Sequence, residues 1–213
     1  MEIQSFTFNP FAENTYILYD ETLECVIVDP GCYTPEEQQA MVNFIAAKNL
    51  KPVQLLNTHC HLDHIFGNRF IADTFKLKLY CHPNEVEWLE QVPLYSRAMY
   101  GVSVEPSPEP AGFLNEGDTV TFGNTALKVL LAPGHSPGSI VFYNEKGRTA
   151  IVGDVIFYRS IGRSDLPGGD YQQLETSIRT KIYTLPGETR LYSGHGEPTT
   201  VDEEMRFSPF VRA

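Results

Sequence analysis

Val53-Gln54-Leu55-Leu56-Asn57-Thr58-His59-Cys60-His61-Leu62-Asp63-His64 begins as a strand and ends as a cluster of metal-ligand side chains. Residues 53–58 follow Pro52 and are rich in apolar and β-compatible residues, the pattern of a buried central strand. Four side chains able to ligate a metal, His59, His61, Asp63 and His64, then fall within six residues. In an extended segment alternate residues share a side, so His59 and His61 can grip one ion while Cys60 points away. Asp63 and His64 come after a turn and face elsewhere. The spacing therefore favours two metal ions over one. Asp63 also suits the N-cap of a following helix, in which Ile65, Phe66, Phe70, Ile71 and Phe75 recur near helical spacing.

The chain has 213 residues, and an apolar fraction of 42% is ample for a sizeable core. We expect one domain over residues 1–213. Sixteen Lys and Arg stand against 27 Asp and Glu, a net charge of -11, and no basic run occurs. Such a surface repels polyanions, which argues against nucleic acid as a partner. The amino terminus has neither a basic n-region nor an apolar h-region, and no segment approaches 18 consecutive apolar residues. These features predict a soluble, cytoplasmic protein with no membrane partner. The cysteines, Cys25, Cys32, Cys60 and Cys81, have no zinc-knuckle or Cys-x-x-Cys spacing, so reduced thiols are expected.

Along the chain, strands are predicted at 3–8, 14–19 and 25–29, and a helix at 35–48 with Thr34 as N-cap and Glu37 completing a capping box. After the ligand box come a short strand at 77–81 and a helix at 84–91. Residues 101–112 carry Pro106, Pro108 and Pro110 without periodicity and form a connection. Strands follow at 119–122, 126–131, 139–143 and 149–152, then a helix at 171–184 and a strand at 190–192. This order is α/β. Two similar halves, each a sheet covered by helices, would pack as a four-layer αβ/βα sandwich with the strand-end loops meeting at one edge.

Two ions need more ligands than the box supplies, and three further ligand-type residues lie beside glycine at strand ends. They are His135 in Pro133-Gly134-His135-Ser136-Pro137-Gly138, Asp154 after Ile151-Val152-Gly153, and His195 in Ser193-Gly194-His195-Gly196. A carboxylate such as Asp154 can bridge two ions through its two oxygens. Of the six histidines only His82, before Pro83, reads as a plain turn residue.

Taken in order, the Thr58-His59-x-His61-x-Asp63-His64 box, the 133–138 turn, Gly153-Asp154 and the 193–196 turn resemble the metallo-β-lactamase fold superfamily. Gly162-Arg163-Ser164-Asp165-Leu166-Pro167-Gly168-Gly169 and Met205-Arg206-Phe207-Ser208-Pro209-Phe210 narrow the resemblance to its short bacterial hydroxyacylglutathione hydrolase-like (glyoxalase II-like) branch. The resemblance implies that His59, His61 and His135 hold one metal and Asp63, His64 and His195 the other, with Asp154 bridging. It also implies that Asp63 orients the metal-activated water and that Asp29 steadies the loop from outside the ligand set. Two divalent ions are implied, zinc in the first place, with iron and manganese also accepted by imidazole and carboxylate.

The implied reaction is hydrolysis of S-lactoylglutathione or a related small acyl-thioester by water activated between the ions. No Gly-x-Ser-x-Gly nucleophile elbow is present, and a thiolate leaving group needs little protonation. Full-length members of the glyoxalase II family carry a basic C-terminal helical domain that holds glutathione, and the resemblance leads us to expect none here. Arg163 and Arg206 are the expected substrate-contacting cations. The alternatives are a mononuclear iron oxidoreductase resembling persulfide dioxygenases, and a lactonase.

Overall fold

Alternating apolar and polar residues in the first thirty positions form three antiparallel strands, β1 (Glu2–Phe8), β2 (Glu13–Tyr19) and β3 (Glu24–Val28). They are described, with the rest of residues 1–212, in a computed structural model of the protein. A crossover through α1 (Pro35–Ala47) leads to β4 (Lys51–Leu56), which pairs parallel with β3. Helix α1 begins as the sequence predicts. Thr34 Oγ1 accepts from the Glu37 N–H, and the Glu37 carboxylate accepts from Thr34 N–H. That carboxylate also accepts the N–H groups of Tyr33 and Asn9, so the helix start is fastened to the β1–β2 turn.

The sheet continues in parallel through β5 (Leu79–Cys81) and β6 (Gly112–Phe113), in the order β1 to β6. Helices α2 (Asn68–Phe75) and α3 (Val86–Tyr100) connect these strands. Ile17, Ile27, Met41, Leu55, Ile71 and Leu79 form the core of this unit, which comprises Met1–Phe113 and Thr121–Thr125. A central strand lies where the box was expected to begin, but only its end is buried: Val53 is 37% exposed, whereas Leu55 and Leu56 are inaccessible. The box does not run straight into a helix. It closes in a 3-10 turn, Leu62–His64, and α2 starts at Asn68 with Gly67, not Asp63, as its N-cap. The reason is a tether: Gly67 N–H donates to Pro30 O at 2.7 Å, holding the chain off helical course until it has passed the β3 end. Helix α3 outruns its predicted end at residue 91 despite Pro93. One lost ladder bond is outweighed by burial of Leu89, Val92 and Ser96 along one face.

The second unit, Leu114–Val120 with Ala126 onward, holds a sheet in the order β14-β13-β10-β9-β8-β7. Its strands are β7 (Thr119–Phe122), β8 (Thr125–Leu131), β9 (Ile140–Asn144), β10 (Thr149–Gly153), β13 (Arg190–Ser193) and β14 (Thr199–Thr200). Strand β10 is antiparallel to β9 and parallel to β13, with a register shift between Ile151 and Gly153 that breaks the ladder just before Asp154. A small hairpin of β11 (Ile156–Phe157) and β12 (Ser160–Ile161) follows. Helix α4 (Tyr171–Ser177) passes into a π-helical turn, Ile178–Ile182, where a single helix was expected, and α5 (Val201–Phe207) ends the unit. Val141, Ala150, Val152, Leu174, Ile178 and Leu191 are its core. The expected α/β class is met, each half being a six-stranded sheet with its own helices. The hairpin β11–β12, β14 and α5 were not foreseen, being too short to show a period. Among the described residues no helix is long and apolar enough to cross a membrane.

All four cysteines are buried free thiols. Burial pushes the thiols of Cys25 and Cys32 up to about 12, with Glu13 and Glu37 adding to the shift at Cys32. A folded value above the unfolded one gives stability that is complete below the ordinary thiol value of 9.0 and is lost as pH rises towards 12. Urea midpoints should therefore fall between about pH 9 and pH 11, and fall less steeply in Cys25→Ala. An identical slope in that variant would show that the buried thiol is not responsible.

Candidate functional site

Asp29 ends β3 with a left-handed backbone, φ 49°, which aims its carboxylate at the box. Its Oδ1 accepts Thr58 N–H at 2.7 Å and Asn57 Nδ2 at 3.3 Å. Its Oδ2 accepts the Thr58 hydroxyl at 2.5 Å and His64 Nδ1 at 3.2 Å. A carboxylate only accepts, so Nδ1 of His64 carries the proton and Nε2 carries the lone pair. Thr58 Oγ1 has given its one hydrogen to Asp29. At 3.1 Å from His59 Nδ1 it therefore accepts, and His59 too presents Nε2 as its ligand atom. The rings of His59 and His61 stand edge to face at 4.8 Å, and those of His59 and His64 lie 4.1 Å apart. Asp63 Oδ2 is 3.8 Å from His64 Nε2.

By distance alone Asp29, His59 and His64 form a possible metal group, each offering an atom within 4.8 Å of the others. The four donors already on Asp29 make it a clamp for the loop instead. Behind it lies Glu13, fully buried on β2. Burial pushes its carboxyl well above the ordinary carboxylate range, and His64, with Nδ1 3.9 Å from Oε1, offsets this in part. Asn9, another left-handed residue, donates from Nδ2 to Gly31 O at 3.0 Å and to Asp63 O at 3.1 Å, tying the box to the turn after β3. Cys60 is buried in the apolar core of the first unit. Burial, and then a hydrogen bond with Cys81, push its thiol up, so it is not poised as a thiolate ligand.

In the second unit, Asp154 follows the register shift of β10 and draws two imidazoles together. His135 Nε2 and His195 Nε2 each lie 3.5 Å from the same oxygen, Oδ2. His135 Nδ1 is 2.7 Å from the Arg163 carbonyl, an acceptor, which again leaves the lone pair on Nε2. Two imidazoles converging on one carboxylate oxygen, with a proton placed on the far nitrogen, is a donor set that suits a divalent cation. The glycines beside these residues are required for space. A Cβ on Gly162 would fall 1.8 Å from Asp154 O and 3.0 Å from His135 Nδ1, and one on Gly134, at φ 128°, 2.1 Å from Leu174 N.

His82 is a turn residue, as read: its Nδ1 accepts Asn84 N–H at 3.2 Å and burial lowers its pKa. The guanidinium of Arg163 pairs with both oxygens of Asp165 at 2.8 Å, so its carbonyl rather than its side chain meets His135. Arg206 is exposed on α5, 3.9 Å from Asp202. Sequence reasoning missed Glu85, Glu13 and Asn9. Glu85 lies just past the end of β5, the kind of position that marks every expected ligand, and that shared placement was the available signal.

The Metallo-beta-lactamase superfamily profile matches residues 8–195, and the chain belongs to that superfamily. Among curated relatives it is 37% identical to the probable metallo-hydrolase YqgX of Bacillus subtilis over 212 residues, 99% of this chain and 98% of that protein. It is 30% identical to hydroxyacylglutathione hydrolase GloC of Haemophilus influenzae over 214 residues, covering 100% and 99% of the two chains. Among solved structures it superposes on the BLEG-1 B3 metallo-β-lactamase with a TM-score of 0.91, at 36% identity and full coverage of both chains. TTHA1623, solved in a di-iron-bound form, gives a TM-score of 0.88 at 35% identity, with 98% and 100% covered.

Asp29→Ala should weaken divalent-metal binding by about 10–100-fold, measured by chelator competition. Gly134→Ala should cost about 2 kcal/mol in urea unfolding, because the added methyl must displace the α4 backbone. A variant as stable as the parent would mean that the 133–138 turn is free to shift.

Proposed function

We propose that the chain is a dinuclear metal-dependent hydrolase of small acyl-thioesters, S-lactoylglutathione or a close analogue. The observation that carries this is the convergence of His135 and His195 on one oxygen of Asp154, with the His59-x-His61-x-Asp63-His64 box presenting its own prepared imidazoles. His59, His61 and His135 are assigned to one ion and Asp63, His64 and His195 to the other, with Asp154 shared. Two divalent ions held by these residues would supply an activated water at neutral pH and polarise the acyl carbonyl.

The chain's own residues set the geometry. Asp29, Thr58 and the Arg163 carbonyl hold the Nδ1 protons of His64, His59 and His135, so the ligand nitrogens are fixed in tautomer and direction. Asp63 is assigned to orient the attacking water. A thiolate leaves with little help, since thiols ionise near pH 8.5, which is consistent with the absence of a dedicated acid in the assigned set. The name of the Haemophilus relative supports a hydroxyacylglutathione-type substrate, and the net charge of -11 favours a small molecule over nucleic acid. Arg163 and Arg206 are assigned to substrate carboxylates. Zinc is the first choice of metal, and the di-iron form of TTHA1623 keeps iron in view.

The test is metal analysis combined with turnover of S-lactoylglutathione, glutathione persulfide and a lactone panel. Two ions per chain, thioester cleavage and loss of both on Asp154→Ala are the expected results. One iron per chain with O₂ uptake on the persulfide would replace this reading with an oxidoreductase, and lactone turnover alone would make the chain a lactonase.

A further inference from the structure

Glu85 is inaccessible to solvent, yet neither the box nor the other expected ligands include it. It ends the short turn Pro83–Glu85 after β5 and sits at the start of α3. Its Oε2 accepts the N–H of Cys60 at 2.7 Å. That amide belongs to the residue between His59 and His61. One turn further along α3, the Trp88 ring stands edge-on to His61, with centroids 6.3 Å apart at 78°. The first turn of α3 therefore touches the His59-x-His61 pair twice, once at its backbone and once at a ring.

The chemistry of these contacts is specific. His59 and His61 can serve one ion only while the intervening residue stays extended, because a rotation there would send the rings to different sides. A charge-assisted hydrogen bond to the intervening N–H resists that rotation. Burying a carboxylate is costly unless nearby charge compensates, and a cation held by the flanking imidazoles would provide it. Asp29 clamps the Thr58 and His64 side of the box. Glu85 acts on the stretch in between, from a different strand end.

We infer that Glu85 is a positioning residue for the His59–His61 pair, holding the Cys60 amide so that both imidazoles face one ion. This rests on the reading of the box as a metal site, but not on the identity of the substrate. The test is cobalt(II) titration of metal-free wild type, Glu85→Gln and Glu85→Ala, followed by d–d absorption and chelator competition. Circular dichroism establishes which variants fold.

Wild type should take two cobalt ions. In Glu85→Ala the affinity of one of them should fall about 10–100-fold with an altered d–d band, the other being retained. Glu85→Gln, which keeps an acceptor of the same shape but loses the charge, should restore part of that affinity while remaining several-fold weaker than wild type. If Glu85→Ala does not fold, Glu85→Gln decides alone. Wild-type affinity and spectrum in Glu85→Gln, or in folded Glu85→Ala, would overturn the inference. A wild-type chain that binds no cobalt would overturn the metal reading as well, whereas failure to cleave thioesters would leave the inference standing.

Discussion

The first half of the candidate site depends on one carboxylate. Asp29 reaches from the end of β3 to the neighbouring strand end and collects a backbone N–H, a side-chain amide, a hydroxyl and an imidazole. Its left-handed backbone is an uncommon conformation, more accessible to aspartate than to most residues. With that aim fixed, Thr58 is forced to accept from His59, and His64 is forced to offer Nε2. A single buried acceptor thus sets the protonation of two rings, one by contact and one through a hydroxyl. The tether from Gly67 N–H to Pro30 O brings the far end of the box back to the same turn, so the loop is held at both ends by residues just after β3.

The second half reaches the same chemical state differently. No carboxylate clamps His135; a main-chain carbonyl does, and its placement requires the chain at Gly162 to pass too close to Asp154 and His135 for any side chain. Rotamer and tautomer are enforced by a hydrogen-bond acceptor in both units. In one the acceptor is a side chain carried on a strained backbone, in the other a backbone admitted by a missing side chain.

Much of this was legible in the sequence. The strands showed because their alternation is strict, and α1 showed because Thr34 and Glu37 form a complete capping signal. The ligand-type residues showed because imidazoles and carboxylates next to glycine at strand ends have few structural uses. What escaped notice depended on pairings between segments distant in sequence. The entry to α2 is set by a tether to Pro30, the length of α3 by burial of Leu89 and Val92, and the roles of Asn9 and Glu85 by partners 22 to 54 residues away, with Glu13 facing His64 from another strand. Apart from the placement of Glu85 just past a strand end, local pattern carries no trace of these. Short elements such as β11, β12 and β14 complete no period and were silent for the same reason.

The tautomers of His59, His64 and His135 are assigned by contacts made within the protein itself. The rotational freedom of these rings is therefore surrendered when the protein folds, not when it is loaded. The fold thus meets in advance the orientational cost that a flexible set of imidazoles would otherwise face one ring at a time.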